Sequence, residues 1–141
     1  MKKLLIILMF PIISIGQTIR CSIDVLDQGK AVDDTVTRIE VINITERLTI
    51  SSLADNLDVY LKYDTEYYLI FSKSNCITKQ LYINTNNVPN NSQEYIVNLN
   101  TDMITGKPTD VRTTVAWYDS NYDCFRYKPF TDSLIKSLYK K

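Results

Sequence analysis

Asp119 and Asp123 flank a short turn, and among the chemistry-bearing side chains they come nearest to a reactive pair. Two carboxylates at the right separation can share general acid and base duties in hydrolysis. Nothing in the sequence fixes the separation of these two, so the pair defines one reading, a small carboxylate-dependent hydrolase. The 141-residue chain contains no histidine. That removes Ser-His-Asp and Cys-His nucleophilic catalysis and the commonest transition-metal ligand. Any acid–base chemistry falls to carboxylates, Lys, Tyr or a thiol, and no catalytic residue is assigned.

Cys21, Cys76 and Cys124 are an odd number in a chain with an export signal. An oxidising compartment permits one disulfide with one thiol left over. Three pairings are open. Cys21 with Cys124 is the favoured one, because both sit in expected strands near the two ends of the module. Equally open is that all three are reduced, buried small hydrophobes. Asp24, Asp27, Asp33 and Asp34 cluster around the first turn, where oxygen donors can ligate calcium, but the spacing of a calcium loop is absent. Acidic turn residues are usually solvated or capping, so neither metal nor cofactor is expected.

Ten tyrosines are the compositional oddity. Tyr60, Tyr63, Tyr67, Tyr68 and Tyr82 crowd the middle of the chain, and Tyr118, Tyr122 and Tyr127 fall in the late part. Alternation turns Tyr60 and Tyr68 away from the core face, so Tyr60, Tyr68 and Tyr82 are the candidate interaction surface. Tyrosine offers contact area with a polar tip, which suits a protein or a glycan. The plainer explanation is cross-strand aromatic pairing, which stabilises a sheet by about 0.2–1 kcal/mol per pair. Two matches to the glycosylation acceptor pattern, at Asn43 and Asn90, are read as chance.

These residues need a scaffold, and the pattern of the chain describes one. Lys2 and Lys3, ten apolar residues from Leu4 to Ile13, and Ser14-Ile15-Gly16 form the layout of a cleaved signal peptide over residues 1–16. The apolar run is half the length needed to span a bilayer, so no transmembrane span is expected after cleavage. Removing that segment leaves 125 residues with 14 basic and 16 acidic side chains, a formal charge of −2. With no basic block, the electrostatic footprint of a nucleic-acid binder is missing.

Residues 57–85 organise the rest. Leu57, Val59 and Leu61, then Tyr67, Leu69 and Phe71, then Leu81 and Ile83 alternate with polar neighbours, the signature of three half-buried antiparallel strands joined by polar turns. Upstream, strands are expected over 18–26, 36–44 and 48–50, with a loop over 51–56. Downstream come an Asn-rich loop over 84–93, a strand over 93–99, a connection over 100–110 and a strand on which Val111, Thr113, Val115 and Trp117 make one face, with Trp117 read as core. Truncating a core Trp117 to Ala should cost about 3–5 kcal/mol. A short return strand over 124–127 and a terminal helix over 132–140, with Leu134, Ile135, Leu138 and Tyr139 on one side, close the chain. The expected fold is mostly β: a seven- to eight-stranded antiparallel β-sandwich with a C-terminal hairpin and short terminal helix.

The run of L-x-V-x-L at 57–61, Y-x-L-x-F-S-K at 67–73 and I-T-K-x-L-x-I-N-T at 77–85 resembles the carboxypeptidase-regulatory-like modules. These have a prealbumin-like (transthyretin-like) sandwich and occur in small secreted proteins of Bacteroidetes-type bacteria. The late segments, Val115 to Asp119 and Phe125 to Tyr127 leading to Leu134 and Ile135, look like the tail that follows the module in such proteins. The resemblance covers most of residues 18–139. It divides the chain into a signal peptide (1–16), a β-sandwich module (17–100) and a C-terminal hairpin and helix packed on it (101–141). Asn75-Cys76 departs from the family's usual Gly-aromatic, and Ala54-Asp55-Asn56 lacks its tight Gly; Asn can still adopt the left-handed conformation a Gly would.

The resemblance implies an accessory or scaffolding module and supplies no catalytic residue. The expectation is an exported, non-catalytic binding or structural component of the cell envelope, located in the periplasm, on the outer-membrane surface or outside the cell. Its partner would be an envelope protein or glycan. The alternatives are the carboxylate hydrolase and a phage- or mobile-element-encoded secreted protein of the same fold that contacts the host envelope.

Overall fold

The computed structural model describes residues 19–27, 30–31, 37–54, 56–91 and 93–130. The signal peptide and the terminal helix expected from the sequence lie outside them. The described elements are all strands: β1 (Ile19–Asp27), β2 (Lys30–Ala31), β3 (Arg38–Asn43), β4 (Leu48–Leu53), β5 (Asn56–Leu61), β6 (Glu66–Ser72), β7 (Thr78–Asn84), β8 (Tyr95–Met103), β9 (Val111–Asp119) and β10 (Cys124–Pro129). Among the described residues no helix is long and apolar enough to cross a membrane.

The strands form two sheets with one core between them. In the smaller sheet β1 is central, with β5 and the short β2 antiparallel to it on one side and β8 parallel to it on the other. The larger sheet runs β10-β9-β7-β6-β3-β4. Ile19, Cys21, Ile23, Val59, Tyr95 and Val97 from the smaller sheet meet Ile39, Val41, Leu69, Phe71, Leu81 and Ile83 from the larger in a single buried cluster. Each strand contributes alternate residues, since successive side chains point to opposite faces. The result is a β-sandwich-like architecture.

The expected all-antiparallel arrangement is corrected in two places. β8 runs parallel to β1, and β9 runs parallel to β7. Parallel neighbours need a crossover, and here the opposite sheet supplies it. The chain leaves β7, traverses the smaller sheet as β8, and returns to the larger sheet as β9 in its original direction. The described strands number ten, because the two-residue β2 pairs with the end of β1 beside those read from the sequence, and two of these are longer than expected. Residues 51–53, expected in a loop, complete β4, where an edge position tolerates their polarity. Residues 100–103, expected in a connection, extend β8 because Val25 to Asp27 provide pairing partners.

Residues 57–85 do hold three strands, but they are not one meander. β6 and β7 form an antiparallel hairpin in the larger sheet, while β5 pairs with β1 in the other. The 62–65 connection therefore steps between sheets. Thr85 locks that step: its hydroxyl lies 2.7 Å from the Lys62 carbonyl and 2.9 Å from that of Thr65, and it accepts the Thr65 N–H at 2.9 Å. Tyr67 holds the same corner, its phenol oxygen accepting the Lys62 N–H at 2.9 Å.

Among the described residues five turns place a non-glycine residue in the left-handed region: Arg47 (φ 58°), Asp64 (50°), Asn75 (58°), Asn87 (65°) and Asp123 (52°). With only three glycines in the chain, Asn and Asp take most of these positions. Asn75 sets the path of the chain at 75–76. It makes the left-handed bend itself, and its carbonyl accepts the Gly106 N–H at 3.0 Å. Cys76 is buried there and bridges to Thr105. Gly106 is required by this docking, because a Cβ on it would stand 2.5 Å from Cγ1 of Ile77.

Candidate binding face

Parity along β1 turns Arg20, Ser22 and Asp24 outward while Ile19, Cys21 and Ile23 fill the core. The register across the smaller sheet sets Tyr60 of β5 and Ile96 of β8 on either side of Arg20. Directly opposite residues share a face, so Tyr60, Arg20 and Ile96 form one row across three strands. Tyr60 is 52% exposed and Ile96 47%. The next row is Asp58, Ser22 and Asn98, and the one beyond is Asn56, Asp24 and Asn100.

Arg20 is held in place. Its Nε donates to Asp58 Oδ1 at 2.9 Å and its terminal nitrogen to Oδ2 at 2.6 Å, a two-point fork across the diagonal of the sheet. The guanidinium holds the Asp58 carboxyl below the usual carboxylate range, and Asp58 in turn raises the guanidinium further above its own. Both side chains stay partly solvated, at 41% and 30% exposure, so the pair orders the face more than it stabilises the fold. The outcome is a solvent-facing surface with an aromatic ring, a pre-set cation, an aliphatic side chain and a margin of amides.

Tyr68 and Tyr82 are elsewhere. They stand opposite each other on β6 and β7, on the outer face of the larger sheet, with ring centroids 5.3 Å apart at 53°. Tyr82 is only 5% exposed, and its phenol donates to the Glu66 carboxylate. The structure thus separates Tyr60 from the other two tyrosines of the expected row. Trp117 joins that second face. β9 turns Ala116 toward the shared core and Val115 and Trp117 to the opposite face, where Val115 is still fully buried, so Trp117 is not the core residue expected. A one-residue change of parity exchanges every side chain between faces, and the unbroken run Val115-Ala116-Trp117 leaves parity ambiguous. Trp117 is half-buried, with the Lys128 ammonium 6.0 Å from its ring centroid.

Asp119 and Asp123 are engaged separately. Asp119 accepts the Asn121 N–H at 3.0 Å and lies 4.0 Å from the Arg126 guanidinium. Asp123 accepts the Tyr118 phenol at 2.7 Å and the Tyr95 phenol at 3.1 Å. These bonds hold its carboxyl low and keep the Tyr118 proton in place well above the usual phenol range. The Tyr95 and Tyr118 rings meet edge-on at 5.5 Å, so the carboxylate fastens the late hairpin to β8. Among the described residues no three Cys, Asp or Glu side chains converge to hold a metal ion. Asp24 stands exposed on β1, and Asp33 and Asp34 lie outside the described residues.

The cysteines are free thiols, so the favoured Cys21–Cys124 bond is not formed in this structure. Cys21 is wholly buried, which pushes its thiol far up and keeps it protonated. Cys124 is exposed at the start of β10. Arg20 and Ile96 were missed as site residues in the sequence. Their outward parity was legible, but the parallel register that lines them up with Tyr60 was not. Family models, curated proteins and solved structures were compared with the chain, and none matches.

Proposed function

We propose that this is an exported, non-catalytic β-sandwich protein of the cell envelope that binds an envelope protein or glycan through the outer face of its smaller sheet. The observation that carries the reading is the row Tyr60–Arg20–Ile96, with the cation fixed by Asp58 and both flanking side chains about half exposed. Tyrosine and arginine dominate the energetics of protein interfaces, and a pre-ordered cation lowers the entropy lost on binding. Export rests on the Lys2-Lys3, apolar and Ser14-Ile15-Gly16 layout. Kinship with the carboxypeptidase-regulatory-like modules belongs to the same proposal, supported by the residue pattern over 57–85 and the two-sheet architecture. The hydrogen bonds that engage both late carboxylates in the hairpin support a non-catalytic role.

The test is capture from an envelope extract on the immobilised protein, comparing the native chain with Tyr60→Ser and with Ile96→Ser. Each substitution is expected to remove the retained protein or glycan while the folded state persists by circular dichroism. An unchanged set of retained species with both variants overturns the assignment.

A further inference from the structure

β4 closes one side of the larger sheet, with β3 on its inner flank and, among the described residues, no strand on the other. Its sequence, Leu48-Thr49-Ile50-Ser51-Ser52-Leu53, contains no charge, no Pro and no Gly. Edge strands ordinarily carry Lys, Pro or a bulge that discourages pairing with another chain, and this one has none of them. The other flank of the sandwich is defended. The Asn98 N–H of β8 is capped by the Tyr127 phenol oxygen at 2.9 Å, and β10 ends in Lys128 and Pro129.

The register gives the β4 side chains their faces. Ile50 lies opposite Val41 and Ser52 opposite Ile39, so Leu48, Ile50 and Ser52 are on the core side, and Thr49, Ser51 and Leu53 on the outside. Yet Leu48 is 46% exposed and Ile50 only half-buried, because the smaller sheet has too few strands to cover the end of the larger one. An apolar strip on the core side is left at an edge that no strand covers among the described residues.

We infer that this edge pairs with the β4 of a second copy of the chain, antiparallel about a two-fold axis at Ile50, to make one sheet continuous through both molecules. Such an axis, perpendicular to the sheet, keeps each residue on its own face. It sets Ile50 against Ile50 of the second copy, Leu48 against Ser52, and Thr49 against Ser51. No charge meets a charge anywhere in the strand, and the uncovered isoleucines cover each other. Over Leu48 to Ser52 the strand meets no charge from its own copy, whereas a guest strand with charged side chains would place them against Leu48 or Ile50. Five paired residues a side, Leu48 to Ser52, fall short of the roughly 1,600 Å² of a stable interface, so the dimer is weak and concentration-dependent. The inference is independent of the Tyr60 face.

Sedimentation equilibrium of the full chain, from micromolar to millimolar concentration, tests it. The double variant Thr49→Lys with Ser51→Lys puts lysines opposite lysines at two exposed positions without touching the core. Like charges directly opposed on paired strands are unfavourable, and two such pairs should weaken self-association about tenfold. Thr49→Glu with Ser51→Glu should do the same, and an equimolar mixture of the two variants should dimerise at least as well as the native chain. A native chain that stays monomeric throughout overturns the inference, as does a Lys variant that dimerises like the native chain. Binding of an unrelated extended peptide to a monomeric native edge would also overturn it, assigning the edge to a foreign strand.

Discussion

Tyr60 and Tyr82 both point away from the core by alternation, one from β5 and one from β7, yet the first is 52% exposed and the second 5%. The difference lies in where each strand stands in its sheet. β7 is interior, between β6 and β9, so Tyr82 has Tyr68 on one side and Val115 on the other. Among the described residues β5 pairs only with β1, so Tyr60 has Arg20 on one side and no strand on the other. Parity decides which face a side chain joins, and lateral position decides whether neighbours cover it. The same residue type is thereby a packing element on one sheet and a contact candidate on the other.

Four substitutions sharpen that comparison. Phe71→Ala removes a wholly buried ring from the core that both faces share, and it should cost about 3–5 kcal/mol in denaturant unfolding. A much smaller loss would mean that the two sheets do not share one packed core. Tyr68→Ser breaks the ring pair with Tyr82, with an expected loss of about 0.5–1.5 kcal/mol beyond the area it uncovers. Tyr60→Ser should change stability by no more than about 0.5 kcal/mol, as for a surface position without a packing role. Equal costs for Tyr60 and Tyr68 would erase the distinction between the two faces.

The smallest effect is that of acid on the Arg20–Asp58 pair. The Asp58 carboxyl titrates below its ordinary value of about 3.9 in the folded state, so on acidification the unfolded chain takes up its proton first. The stability it contributes is complete above the ordinary value and is lost as pH falls through the folded one. Asp58→Asn should therefore lower the unfolding midpoint slightly at neutral pH and flatten its dependence on acid. An acid dependence identical to that of the native chain would show that the fork does not hold Arg20 in solution.

Much of the fold was legible because half-covered strands write their period into the sequence. Leu57, Val59 and Leu61, and Tyr67, Leu69 and Phe71, are buried as alternation requires. What alternation does not encode is which strand lies beside which. β5 follows the pattern of a meander with β6 but joins the other sheet, and the parallel partners β8 and β9 are set by long-range packing. Trp117 went astray for a local reason: with Val115, Ala116 and Trp117 all apolar, either parity fits, and the small Ala116 is the residue that enters the core. Of the candidate face, Tyr60 was visible from parity. Arg20 and Ile96 became neighbours of it only once the register of β1 with β5 and β8 was known.

Tyrosine-selective labelling of the protein with and without an envelope fraction tests the smaller sheet as the contact face most directly. Tyr122, 66% exposed in the β9–β10 turn, serves as the internal control. Protection of Tyr60 with Tyr122 still labelled is the predicted result; equal labelling of Tyr60 in the presence and absence of a fraction that the protein demonstrably captures would contradict it.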